Sequence, residues 1–119
     1  MSLCILAGGK VTALALSMFT LSWTHSVQKT EWRETWAVTP AGLELRQAEV
    51  KGSGAGMEPG TDAVLKDGRW VWHPTLPPQE RISLAASGMT PGGWRLCHAD
   101  GCVELGATAG DEVSLSGCR

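Results

Sequence analysis

Residues 19–38 read FTLSWTHSVQKTEWRETWAV, and their alternation decides the fold. Phe19, Leu21, Trp23, His25 and Val27 fall on one face of an extended strand, with Thr20, Ser22, Thr24 and Ser26 on the other. A period of two is the mark of a half-buried β-strand. The pattern resumes with Trp32, Glu34, Trp36 and Val38 on one face and Arg33, Thr35 and Ala37 opposite. A hairpin turning at Lys29-Thr30 pairs Val27 with Trp32, His25 with Glu34, Trp23 with Trp36 and Leu21 with Val38. Its other face pairs Ser26 with Arg33 and Thr24 with Thr35. This register matches apolar with apolar and acid with base. It sets His25 against Glu34 among indole rings, where an unpaired charge is costly. Lys29-Thr30 lacks the Gly or Asn that two-residue turns favour. A longer loop with a register shifted by two residues is therefore the rival, and it breaks the His25–Glu34 pair.

Outward from that hairpin, the same logic runs through the chain. Leu3–Ala7 and Val11–Leu16 form a first hairpin about Gly8-Gly9, and their nearly continuous apolar character predicts cover on both faces, with a helix as the alternative. Thr39-Pro40-Ala41-Gly42 is a turn, and Leu43–Lys51 is a long strand with a bulge near Gln47. Asp67-Gly68 joins Ala63–Leu65 to Arg69–His73, and Pro74–Pro78 runs extended over the surface or along a sheet edge. A strand around Ile82 and Leu84 follows, then a hairpin of Trp94–Cys97 and Cys102–Leu105 about Asp100-Gly101, then a last strand at Val113–Leu115. No helix signal of convincing length appears. Nine or ten strands with tight turns make an all-β domain spanning 1–119, an antiparallel β-sandwich or barrel built from consecutive hairpins.

Composition narrows the function classes. The 119 residues suit one domain with its own core. A net charge of -2 gives no electrostatic footprint for nucleic acid or anionic lipid. No apolar run approaches the ~20 residues of a membrane helix. The N-terminal MSLCILAGGKVTALALSM lacks a basic start and a clean A-x-A site, so it reads as a hairpin and not as a signal peptide. Cytoplasmic residence is the default expectation, with the periplasmic side left open by the cysteines.

Several polar positions are candidates for chemistry. His25 and Ser26 are adjacent on a strand and point to opposite faces, which removes a simple Ser–His dyad. His25 with Glu34 is either a base with its orienting carboxylate or a buried polar pair that fixes register. Glu31, Lys29 and Arg33 read as solvated strand-end charges. Residues 52–60, GSGAGMEPG, read either as a chain reversal or as a nest of backbone N–H groups for an anion. No P-loop or other cofactor motif is present, so no cofactor is expected. Of the six Trp, Trp23, Trp32 and Trp36 belong to the hairpin cluster, while Trp70, Trp72 and Trp94 are candidates to line a groove. If Cys97 and Cys102 face each other across the hairpin, a disulfide between them is feasible and Cys4 and Cys118 are left to pair; four cysteines allow three connectivities that sequence does not choose between, and reduced, buried cysteines are the alternative in a cytosolic protein. Zinc held by Cys97, Cys102, His98 and a fourth ligand is the rival, but the spacing is not a doubled C-x-x-C.

The run Trp23-Thr-His25-Ser26-Val27-x-Lys29-Thr30, then Glu34, then Gly52-Ser53-Gly54-Ala55-Gly56-Met57, resembles the signature of a bacterial domain of unknown function, family 1850. The resemblance implies a small strand-rich protein, often encoded beside tripartite transporters with TAXI-type solute receptors, and hence an accessory role in uptake. It marks His25, Ser26, Lys29, Glu34, Ser53, Gly54 and Gly56 as motif positions without assigning them a role. The expected function is a non-enzymatic domain that binds a small anionic solute or a transporter component. The alternatives are a hydrolase or isomerase using His25 and Glu34, and a purely structural interaction module.

Overall fold

Tight turns and period-two patterning leave this chain one economical way to bury its apolar faces, which is to stack antiparallel sheets. A computed structural model of the protein describes residues 1–24, 31–51, 63–84, 93–106 and 112–118. Eleven strands are present among the described residues: β1 (Ser2–Ala7), β2 (Lys10–Ala15), β3 (Met18–Thr24), β4 (Glu31–Thr39), β5 (Gly42–Lys51), β6 (Val64–Lys66), β7 (Arg69–Trp72), β8 (Arg81–Leu84), β9 (Trp94–His98), β10 (Gly101–Leu105) and β11 (Val113–Gly117). The sequence count of nine or ten falls slightly short. A four-stranded sheet has the order β2-β1-β11-β8, and a seven-stranded sheet has the order β10-β9-β3-β4-β5-β7-β6. Neither sheet closes on itself, so the architecture is a sandwich and not a barrel. No helix of the described residues is long and apolar enough to cross a membrane.

The turns form where their residue types demand. Asp67 and Gly68 both take positive φ, 52° and 78°, the geometry that matches a two-residue turn to strand twist. Gly8 and Gly9 do the same between β1 and β2. In β5 the register shifts opposite Thr35 and Trp36, so that Thr35 faces Gln47 and Trp36 faces Leu45. Arg46 is the extra residue, and this bulge turns Ala48 and Val50 to the same buried side as Leu43. The β9–β10 turn lies one residue earlier than expected: His98 pairs with Gly101, so Ala99-Asp100 forms the loop.

The first hairpin differs from its sequence reading. β1 is buried only at alternate positions, Leu3 and Ile5, while β2 is an exposed edge along most of its length. Apolar residues on β2 therefore report an edge strand with a few contacts and not a strand covered on both faces.

The core lies between the sheets. Leu3, Ile5, Leu84, Val113 and Leu115 from the small sheet meet Phe19, Leu21, Trp36, Val38, Leu43 and Leu96 from the large one. Each fully buried side chain of this kind contributes about 1.5–3 kcal/mol. Two disulfides fasten the ends of this arrangement. Cys4 bonds Cys118, tying β1 to the residue after β11, and Cys97 bonds Cys102 across the β9–β10 hairpin with a Cα separation of 4.0 Å. All four cysteines are used in these pairs, which leaves no thiolate for the zinc reading. Between β7 and β8 the chain crosses from one sheet to the other, and Gln79 pins it to Leu43 by reciprocal backbone hydrogen bonds of 2.7 and 2.8 Å.

Candidate functional site

The β3–β4 register decides which side chains meet. Trp23 pairs with Trp32, Leu21 with Glu34, Phe19 with Trp36, Ser22 with Arg33, Thr20 with Thr35 and Thr24 with Glu31. The expected pairs of Val27 with Trp32, His25 with Glu34, Trp23 with Trp36, Leu21 with Val38, Ser26 with Arg33 and Thr24 with Thr35 are therefore corrected. Trp32 moves four residues along its partner strand, from Val27 to Trp23. The slip is even, so every residue stays on its predicted face. Two physical terms favour it. The expected register needs a two-residue turn that lacks the favoured Gly or Asn, and the observed ladder replaces one aromatic cross-strand pair, Trp23–Trp36, with two, Trp23–Trp32 and Phe19–Trp36.

Ladder pairing builds two rows across the inner face of the large sheet. One row runs Trp23, Trp32, Val50 and Trp70. The next runs Leu96, Leu21, Glu34, Ala48 and Trp72. Trp94 flanks the first row from β9. Its ring lies 4.8 Å from that of Trp23, tilted by 49°. Trp23 and Trp32 are nearly parallel, with centroids 6.2 Å apart. Trp32 and Trp72 meet edge to face at 6.1 Å and 84°. Four indoles from β9, β3, β4 and β7 thus make one continuous band. All four are half-buried, because the small sheet covers the Phe19–Trp36 end and leaves this end less enclosed. The sequence grouping of Trp23 and Trp32 with the core, and of Trp72 and Trp94 with a groove, is replaced by this single band, while Trp36 alone of the hairpin indoles is buried.

Glu34 sits in the second row between Leu21 and Ala48, a carboxyl among apolar neighbours. Its Oε1 accepts a hydrogen bond from Trp36 Nε1 at 3.1 Å. Desolvation by burial holds its carboxyl above the ordinary range, and the Trp36 N–H offsets that only in part. Glu31, one residue beyond Trp32 and so on the opposite face, behaves in the other sense. Its Oε1 accepts from Arg69 Nη2 at 2.7 Å and from Arg33 Nη2 at 3.3 Å. The Arg69 hydrogen bond, helped by the charges of Arg33, Arg69 and Lys51, holds its carboxyl below the ordinary range. Glu31 and Arg33 are partly exposed, as expected of strand-end charges, but the Arg69 link reaches across β5 and was not expected from sequence.

His25, Ser26, Lys29, Ser53, Gly54 and Gly56 lie outside the described residues. The strand ends that lead into those segments are described, however. Thr24 pairs with Glu31, and Val50, just before Lys51, pairs with Trp32. The described ends of β3, β4 and β5, at Thr24, Glu31 and Lys51, therefore lie side by side at the end that carries the indole band. Two concavities lie elsewhere. One of about 320 Å³ is lined by Val38–Gly42 and Ser116–Cys118, at the opposite end of β4 and β5. The other, of about 260 Å³, is an apolar groove between β2 and β10 lined by Ile5, Leu14, Val103 and Leu105.

Among the described residues no group of three or more His, Cys, Asp or Glu is placed to hold a metal ion. No curated protein and no solved structure matches the chain. A family model described as Domain of unknown function (DUF1850) matches residues 19–105, more than half of the chain, so the chain belongs to that family. The match takes in the strands of the large sheet, β3 without its first residue Met18, and β8 alone of the small sheet.

Proposed function

We propose that this chain, a member of the DUF1850 family, is a non-enzymatic ligand-binding β-domain whose site is the indole end of the seven-stranded sheet. One observation carries the reading: the ends of β3, β4 and β5 lie side by side next to the Trp94–Trp23–Trp32–Trp72 band. Connections gathered at one end of a sandwich are the usual place for recognition. Half-buried indoles supply apolar contact area at little cost in side-chain entropy. His25, Lys29 and the backbone N–H groups of Ser53–Gly56 are the polar complement, suited to a carboxylate or similar anionic group. The family resemblance is the support for an accessory role beside a solute transporter. The two disulfides favour an oxidising compartment, such as the periplasm, as the place of work.

The enzyme alternative rests on His25 standing opposite Glu34 in the ladder, a position that Leu21 takes. The test is a thermal-shift and tryptophan-fluorescence screen against small carboxylates, amino acids and sugars. A saturable hit weakened by Lys29→Ala or His25→Ala, at unchanged Tm of the free protein, supports the reading. Saturable binding that ignores both substitutions and Trp32→Leu contradicts it.

A further inference from the structure

Among the described strands, β2 is an edge left without the usual protection. The small sheet ends on β2 and β8, and the large one on β10 and β6. Sheets blunt their edges with short strands, charges or prolines, because an open row of backbone groups pairs with other chains. β6 has three residues and ends on Lys66, and β8 has four and begins with Arg81. β10 carries Glu104 beside its last residue. β2, KVTALA, has six residues, no proline, no break in its pairing with β1, and a charge only at its first position.

The ladder fixes which backbone groups this edge presents. Leu16 N–H donates to the Met1 carbonyl at 3.2 Å, and Cys118 N–H donates to the Ser2 carbonyl at 2.9 Å. Bonded and non-bonded pairs alternate along an antiparallel ladder. The bonded pairs of β1 and β2 are therefore Leu3–Leu14, Ile5–Thr12 and Ala7–Lys10. Val11, Ala13 and Ala15 turn their N–H and C=O groups the other way, out of the sheet, and no described residue bonds them there. Their side chains lie on the outer face and are exposed, Val11 by 62%. On the inner face this edge borders the apolar groove of about 260 Å³, whose lining includes Leu14, Leu105 and the 37% exposed Val103.

The edge is complementary to itself. When two copies pair antiparallel about a two-fold axis, Ala13 faces Ala13 and Val11 faces Ala15, so every outward-facing residue of one strand meets an outward-facing residue of the other. Between them Thr12 faces Leu14 and Lys10 faces Leu16, so no like charges are opposed.

We infer that two copies of this chain associate through β2, which joins their small sheets, four strands from each, into one continuous sheet. Leu14 and Leu16 of each copy then extend the inner face across the open side of the other's groove, toward Val103 and Leu105. A six-residue edge is small beside a stable interface, so the association is reversible, with a Kd on the order of 10–100 μM.

The test is sedimentation velocity of the full oxidised chain from about 5 to 500 μM, a range that brackets this Kd. The weight-average mass should rise from 12.6 kDa toward twice that value. Ala13→Lys and Ala13→Glu each set like charges against one another at the axis and should weaken association about fivefold or more. An equimolar mixture of the two variants should recover the association of the unmodified chain, because opposite charges then meet. Amide exchange locates the contact without any substitution: the N–H groups of Val11, Ala13 and Ala15 should exchange more slowly at the high concentration than at the low one. A mass of 12.6 kDa at every concentration overturns the inference and leaves the edge to a strand of another protein. A dimer that ignores both Ala13 variants, a mixture that fails to recover association, or exchange at these three amides that ignores concentration would each overturn it as well.

Discussion

Trp32 lies opposite Trp23 in the β3–β4 ladder, with the two indole planes 8° apart. That pairing gives Glu34 the cross-strand partner Leu21, with Ala48 on its other side, in place of the partner expected from the sequence. It also joins the hairpin indoles to Trp94 and Trp72. The two registers make different proton contacts. In a nuclear Overhauser spectrum, backbone and ring protons of Trp23 should show cross-peaks to Trp32, and those of Phe19 to Trp36. Cross-peaks between Trp23 and Trp36 would restore the shorter turn.

Gly42 carries a steric prediction. Its φ is +129°, and a Cβ there would lie 2.7 Å from the carbonyl oxygen of Gln79. That oxygen accepts the Leu43 N–H, so the contact cannot relax without breaking the bridge that leads the chain from one sheet to the other. Gly42→Ala should cost about 2–4 kcal/mol, measured by urea unfolding. Gly68→Ala, also at positive φ but with nothing near its Cβ, should cost less, about 1 kcal/mol.

The two disulfides should differ in weight. Cys4–Cys118 closes a sequence separation of 114 residues, and Cys97–Cys102 one of 5. On chain entropy alone the long loop is worth about 5 kcal/mol and the short one about 2 kcal/mol. Replacing Cys4 and Cys118 by Ser should therefore lower the urea midpoint well below that of the Cys97→Ser, Cys102→Ser protein. Equal midpoints would show that the termini are held by packing instead.

Glu34 and Glu31 should give stability profiles of opposite sign. The carboxyl of Glu34 has a folded pKa above its unfolded value, because burial disfavours its charge. Its ionisation therefore costs stability as pH rises through that window, and the cost is absent below the unfolded value of about 4.3. Glu34→Gln should raise Tm at neutral pH, with the gain vanishing near pH 4. Glu31 has a folded pKa below its unfolded value, chiefly through Arg69, so its contribution is present above that value and is lost as pH falls through the folded one. Glu31→Gln should lower Tm at neutral pH by a small amount, since its side chain is 38% exposed and screened by solvent.

Much of the architecture was legible from turn chemistry. Asp67-Gly68 and Gly8-Gly9 announce hairpins because few other residues accept positive φ, and the switch of faces between Leu45 and Ala48 announces the bulge. Cys97 and Cys102 could be set opposite each other because a short hairpin allows little choice of register. The β3–β4 register was not legible. Alternation fixes a face but not a partner, and a slip by an even number leaves the pattern unchanged. For the same reason the indole band escaped notice: Trp94, Trp23, Trp32 and Trp72 are scattered along the chain, and ring contacts across four strands depend on registers that no local pattern encodes. Nor could the sequence show that β2, apolar in Val11 and Leu14, lies at an edge, since strand order is a long-range property.

The most direct measurement follows the six indole N–H signals in a nitrogen-15-labelled sample during titration with small carboxylates, amino acids and sugars. The signals of Trp23, Trp32, Trp72 and Trp94 should move together, saturably and with one midpoint, for at least one solute in the set. Saturable shifts confined to the backbone of Val38–Gly42, at the far end of the sandwich, would contradict that result, as would indole signals that stay fixed for every solute.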